Sequence, residues 1–277
     1  MAYPTVSALY GYKPVNLIGG QPYAGSTRSL PIQYNYATPI YFGDLVNLTS
    51  GYVNLITYPA NTTANHLTVG VFMGCYYTNP TTKQRQYSQY YPGSVTAGDI
   101  TAIIADDPDI VIQCAVATGA ATGVVGSASS LLVGSNMVGT TTTGSASTGN
   151  GTGGVVSAIA AGASTAGFRV LSLVPDTQIS TSATYVSGTG TTTLRLSGLT
   201  IGQVIPTGTD IFNVVNGQLQ FTGSIVNGSV TVSSTTAQDL TVTASTATIS
   251  TANPVALVQT PEVLVKINFG VHNYNVA

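Results

Sequence analysis

Between Gly43 and Tyr77 apolar and polar positions alternate in three runs separated by two polar breaks. Gly43-Asp44-Leu45-Val46 leads to a turn at Thr49-Ser50-Gly51, Tyr52 to Thr57 follows, and after a polar loop at Asn61 to Asn65 the third run covers Leu67 to Tyr77. In the third run Leu67, Val69, Val71, Met73, Cys75 and Tyr77 fall on one face, and Thr68, Gly70, Phe72, Gly74 and Tyr76 on the other. A period of two carried by β-branched and aromatic residues specifies a strand. Gly70 and Gly74 mark either the close approach of another backbone or the bends that curl a small sheet. These three strands predict the centre of a compact β-barrel.

The same pattern recurs more weakly elsewhere. Ile100 to Ala105 and Ile110 to Ala117 read as strands joined by the turn Asp106-Asp107-Pro108-Asp109, and Phe168 to Val174 and Pro261 to Phe269 read as strands that return to the barrel. Residues 118–166 carry no charge and repeat Gly, Ser, Thr and Ala, which predicts a long, flexible surface excursion. Within 178–254, Thr192 to Leu199, Asp210 to Val215, Gln218 to Ile225 and Val230 to Val232 are strand candidates, and Asn216-Gly217 and Asn227-Gly228 are hairpin signals. The expected architecture is all-β. A barrel domain spans 1–177, with an N-terminal arm and the excursion, and is completed by 255–277; a small β-sandwich or barrel module, 178–254, is inserted in it.

Composition alters what surface this fold can present. Charged residues make up 6% of the chain, against about 25% in an ordinary soluble domain. Seven basic and nine acidic residues, net −2, give no footprint for a phosphate backbone, so nucleic acid is not an expected partner. No basic start followed by an apolar run marks a leader at Met1 to Ile18, and no window has the uninterrupted apolar length of a spanning helix, so no membrane partner is expected. Association would run through neutral contacts that salt hardly screens.

Tyrosine is the residue suited to such contacts. Fourteen of the sixteen precede residue 92, and each offers a large ring with a hydroxyl handle. Tyr3, Tyr10, Tyr12 and Tyr23 lie in a Pro- and Gly-rich arm with Arg28, and Lys83, Arg85, Tyr87, Tyr90 and Tyr91 lie in the polar stretch Thr78 to Pro92. These ten are the candidate interface residues, with the alternative that the tyrosines plug the barrel ends.

Catalytic and cofactor chemistry finds little support. Gly149-Asn150-Gly151-Thr152-Gly153-Gly154 satisfies Gly-x-Gly-x-x-Gly, but low-complexity sequence stands where a strand should precede it. Asp106, Asp107 and Asp109 describe either an ordinary turn or oxygen ligands for Ca²⁺. His66 and His272 lie near no nucleophile motif, and Gly-x-Ser-x-Gly is absent. Asp210 and Asp239 are the module's only acidic pair for polysaccharide cleavage. Cys75 and Cys114 sit in apolar runs and read as buried free thiols, since a disulfide would require neighbouring strands. No enzyme, metal or cofactor is expected.

Several stretches taken together resemble the virion structural proteins of marine tailed phages. They are Ala2-Tyr3-Pro4, Lys13 to Gly20, Ala24 to Arg28, Gly43-Asp44, Gly70 to Cys75, Ser88 to Pro92, Asp106-Asp107-Pro108 and Pro261 to Asn268. Thr191 to Val232, with Leu199-Thr200-Ile201-Gly202 and Pro206-Thr207-Gly208-Thr209, is similar to a small β-module of phage tail and surface proteins. The resemblance implies a capsid decoration or cement protein on the outer surface of an icosahedral shell. Such a protein clamps neighbouring major capsid protein subunits and associates with copies of itself, with trimers as that family's habit. The alternative it leaves is a head-fibre or tail-associated module that contacts the host surface.

Overall fold

The computed structural model describes residues 8–56, 68–116, 133–140, 143–159, 167–174, 178–189, 193–213, 226–242, 254–258, 260 and 262–268. All the regular structure among them is β, and no helix there is long and apolar enough to cross a membrane. The described chain divides into two compact units. One holds the described residues of Leu9–Ala115 and Ser135–Leu171 and those from Leu264 onward; the other holds those of Met1–Ala8, Val116–Gly134 and Ser172–Val263.

Two six-stranded sheets lie wholly or mostly in the larger unit. In the first, β1 (Lys13–Leu17), β8 (Ile110–Ala115), β19 (Glu262–Ile267), β11 (Phe168–Leu173), β9 (Asn136–Thr140) and β10 (Gly154–Ile159) are neighbours in that order. In the second the order is β2 (Arg28–Pro31), β7 (Thr101–Ala105), β5 (Gly70–Thr78), β3 (Leu45–Thr49) and β4 (Tyr52–Leu55), and β6 (Arg85–Ser88) also pairs with β5. Both are open, so the expected closed barrel is not formed among the described residues. Within the stretch expected as an excursion, residues 136–140 and 154–159 are the paired strands β9 and β10, while 118–132, 141–142 and 160–166 lie outside the described residues. Val155 and Met137 are buried there, and that apolar anchoring holds a segment whose composition alone cannot.

The alternation in the 43–77 stretch produces the predicted strands, but its two faces are not constant. Phe72 pairs with Ile104 and Gly74 with Ile103, so two residues of β5 oppose one of β7. This bulge shifts the side-chain phase by one. Phe72, Cys75 and Tyr77, assigned to opposite faces by strict alternation, therefore enter one core with Val46, Val53, Ile100, Ala102 and Ile104. The Thr49 to Tyr52 turn has Ser50 at φ 52 and Gly51 at φ 84, the two left-handed centres of a tight hairpin between β3 and β4.

In the smaller unit a five-stranded sheet runs β15 (Asp210–Asn213), β18 (Pro254–Val258), β12 (Gln178–Thr189), β13 (Thr193–Ser197), β17 (Gln238–Thr241), beside the short ladder of β14 (Val204–Ile205) with β16 (Val230–Thr231). Leu194, Leu196, Ile205, Ile211, Leu240, Val255 and Leu257 form its core. Residues 255–258 therefore belong with this module and not with the larger unit, because β18 pairs with both β12 and β15. Gly228 takes the predicted left-handed turn at φ 99; Asn216-Gly217 and the strand predicted at Gln218 to Ile225 lie outside the described residues.

Cys75 and Cys114 are both buried, and neither is in a disulfide. Burial pushes the Cys75 thiol up to about 12, so almost no reactive thiolate exists near neutral pH. The native protein should leave both thiols unmodified by an aromatic disulfide reagent at pH 8, with both reacting once denaturant is added. Fast modification of either before unfolding would contradict this burial.

Candidate interaction surface

The ten candidate interface residues separate by burial. Tyr12 and Tyr91 are fully buried and leave the set. Tyr12 stacks on Phe168 with ring centroids 5.2 Å apart, and its hydroxyl donates to the Gly154 carbonyl. Tyr91 donates to Tyr36 O at 2.7 Å and accepts from Val95 N–H at 3.3 Å. These hydroxyls meet the requirement that a buried polar group be paired, so here the tyrosines serve as core.

Four others are held within the unit's own surface. Tyr10 lies under the Lys13 ammonium, 4.0 Å from its ring centroid. Tyr23 donates to Ser26 O at 2.7 Å, and burial first, then Asp106, raises its hydroxyl's pKa. Arg28 pairs with Asp106 at 2.6 Å. Tyr90 stacks on Tyr41, centroids 5.4 Å apart and nearly parallel at 12°. Tyr3 lies outside the described residues.

Lys83, Arg85 and Tyr87 remain, all exposed and all on the β5–β6 hairpin. The turn is built by Asn79: its side-chain oxygen accepts Thr81 N–H at 2.9 Å and Thr82 N–H at 3.2 Å, and its carbonyl accepts Lys83 N–H at 2.9 Å. Such an Asx turn substitutes for a backbone turn, and Lys83 completes it at φ 59. Cross-strand pairing places Tyr76 opposite Tyr87 and Thr78 opposite Arg85. The Arg85 guanidinium lies 4.1 Å from the Tyr76 ring centroid and 5.6 Å from that of Tyr87, while the two rings sit 5.5 Å apart. Tyr87 is 69% exposed.

Asp99 braces the base of this hairpin. Its carboxylate accepts Thr78 Oγ–H at 2.6 Å and Thr78 N–H at 3.0 Å. Those hydrogen bonds from Thr78, above all, hold the carboxyl below its usual range, and the charge of Arg85 adds in the same direction. Tyr76 is likewise lowered, first by hydrogen bonding with Thr101 and then with Ser29. Tyr76 and Asp99 were missed by sequence reasoning. The pairing that brings Tyr76 to Tyr87 follows from the 79–84 turn length, whereas Asp99 arrives from twenty-one positions away.

Among the described residues the chemistry weighed from sequence is not assembled. Asp106 pairs with Arg28, Asp109 lies 3.5 Å from Lys266, and Asp107 accepts Asp109 N–H at 2.8 Å in the turn. No metal-holding cluster occurs among the described residues. Asp210 and Asp239 occupy opposite edge strands of the five-stranded sheet, and the Asp239 carboxylate accepts from Arg195 Nε–H at 2.6 Å and Nη2–H at 2.7 Å. Gly149 to Gly154 lead into β10, not into a helix. His66 and His272 lie outside the described residues.

No family model, no curated protein and no solved structure matches this chain.

Proposed function

We propose that this chain is a capsid decoration subunit that seats the β5–β6 hairpin against neighbouring major capsid protein subunits on the outside of an icosahedral phage shell. The observation that carries the reading is the Tyr76–Arg85–Tyr87 cluster. It joins two of the three residue types most enriched where interfaces concentrate their energy, and its Arg85 and Tyr87 are exposed on a hairpin already fixed by Asn79 and Asp99. A preorganised anchor loses little side-chain freedom on docking. With 6% charged residues over the whole chain, the rest of the contact would be neutral, and weak contacts repeated by shell symmetry add up to a rigid coat.

Co-sedimentation with undecorated compact and expanded capsids tests this. The expected result is saturable binding at a fixed ratio to the capsid protein, tighter on expanded shells and little changed by salt. Tyr87→Ala and Arg85→Ala should each weaken it about tenfold, with Lys83→Ala within roughly twofold because an exposed lone charge contributes little. Absence of binding to both shells would overturn the reading.

A further inference from the structure

A second surface in the larger unit presents different chemistry. Pro31, Ile32 and Tyr34 on one side, Ser50, Gly51 and Tyr52 on another, and residues 98–101 between them line an open groove of about 610 Å³. The construction follows from the strand pairing. Pro31 pairs with Thr101, and Ile32 N–H donates to Ile100 O at 3.0 Å; the β3–β4 turn supplies the opposite wall.

Three features define what would fit. Tyr34 and Tyr52 are 61% and 40% exposed, so two flat apolar faces with hydroxyls stand at the rim without a partner ring among the described residues. Asp99 is the one charged group among the described residues that line the groove, and Thr78 holds its carboxylate in a fixed orientation. A carboxylate has about four acceptor positions, so places remain for hydroxyl donors from a ligand. Side chains added at Gly51 or Gly98 would meet nothing within 4 Å, which leaves the backbone there open to the groove. No cation is among the described residues that line it, which disfavours phosphates and acidic polymers.

We propose that this groove binds a neutral oligosaccharide, with the rings of Tyr34 and Tyr52 receiving the apolar faces of sugar rings and Asp99 accepting their hydroxyls. Clefts of this size suit small ligands when a few fixed polar groups accompany apolar walls. Aromatic faces with one oriented acceptor match a molecule that is apolar on its ring faces and donates around its edge. The site goes beyond the decoration reading and uses none of the residues of the Tyr76–Arg85–Tyr87 cluster. A decorated particle would thereby carry many weak sugar contacts at once, whose avidity exceeds any one of them.

The test uses the full chain with glucose, galactose and N-acetylglucosamine oligomers as probes, followed by titration NMR, with an alginate oligomer and a proline-rich peptide alongside. Millimolar or tighter binding to at least one neutral oligomer is expected, with shifts centred on Tyr34, Tyr52 and Thr101. Tyr34→Ala, Tyr52→Ala and Gly98→Val should each lower affinity about tenfold or more. Gly98→Val fills the groove from a position with open space and no left-handed backbone, so it should fold normally. Tyr87→Ala should leave sugar affinity unchanged while weakening shell co-sedimentation, so the two readings fail separately. No shift at these residues with any neutral oligomer, tighter binding of the alginate or the peptide, or sugar binding insensitive to the groove substitutions would each overturn the proposal.

Discussion

Gly70→Ala should destabilise the protein by about 3–5 kcal/mol, a cost in the upper range for single substitutions, and lower its melting temperature by roughly 10 °C. Gly70 opens β5 and is paired with Val46 of β3. A Cβ there would fall well inside contact with the Ala105 carbonyl oxygen and 2.9 Å from both Ala105 C and Asp106 Cα. All three are backbone atoms, so no flexible side chain can turn away, and β7 would have to move off β5. That displacement would open the core that Phe72, Ile104 and Ala102 share. Gly98→Ala is the matched control, since its Cβ meets nothing within 4 Å; it should stay within about 0.5 kcal/mol of the parent. Thermal and urea unfolding followed by circular dichroism measure both, and a loss below about 1 kcal/mol for Gly70→Ala would contradict this packing.

Gly70 was also legible in the sequence, because a glycine inside an otherwise β-branched run has few explanations other than a close backbone. Gly74 followed by the other route. Its φ of 136 sits at the bulge, where the chain turns its side chains over, and alternation alone could not place that single inserted residue. The limits elsewhere have the same physical origin. Residues 149–154 read as low complexity, yet Gly151 lies against Asp44 and Gly153 against the Tyr12 ring. Small residues signal nothing until the large partner that occupies their space is known. Tyr12 and Tyr87 are the same residue type, but one is core and the other is mostly exposed. A ring with a hydroxyl tolerates both fates, and only long-range pairing decides between them. Strand positions were therefore readable from local pattern, while the interface set was reduced by contacts such as Tyr12 with Phe168 that join residues far apart in the chain.

Between about pH 4 and pH 6 the contribution of Asp44 to stability should fall as pH rises, and Asp44→Asn should remove that component. Asp44 is 2% exposed. Its Oδ2 accepts Tyr41 N–H at 2.8 Å, while Oδ1 is buried without a hydrogen-bond partner and faces Gly151. Desolvation raises its pKa from 3.8 to about 6, and the Tyr41 hydrogen bond opposes that shift only in part. The folded state then holds a proton more tightly than the unfolded chain. Stability from this group is full below the unfolded value and falls as pH rises through the folded one, by up to about 3 kcal/mol for a shift of this size. Asp99 acts in the opposite sense: its pKa is lowered, so its contribution is present at neutral pH and is lost on acidification. Subtracting the Asp44→Asn profile from that of the parent removes Asp99 and every other shared group. The difference should be near zero at pH 4 and favour the variant by about 1–3 kcal/mol at pH 7.5, because the amide keeps an acceptor for Tyr41 without a buried charge. Asp44 lies in a seam where Phe42 N–H donates to Gly149 O at 3.0 Å and Gly151 N–H donates to Phe42 O at 2.8 Å. Amide exchange at Phe42 and Gly151 should accordingly quicken as the parent is taken from pH 5 to pH 7, after correction for intrinsic rates, and not in the variant. Parallel unfolding profiles for the two proteins across this range would show that Asp44 does not titrate in the folded state as its burial requires.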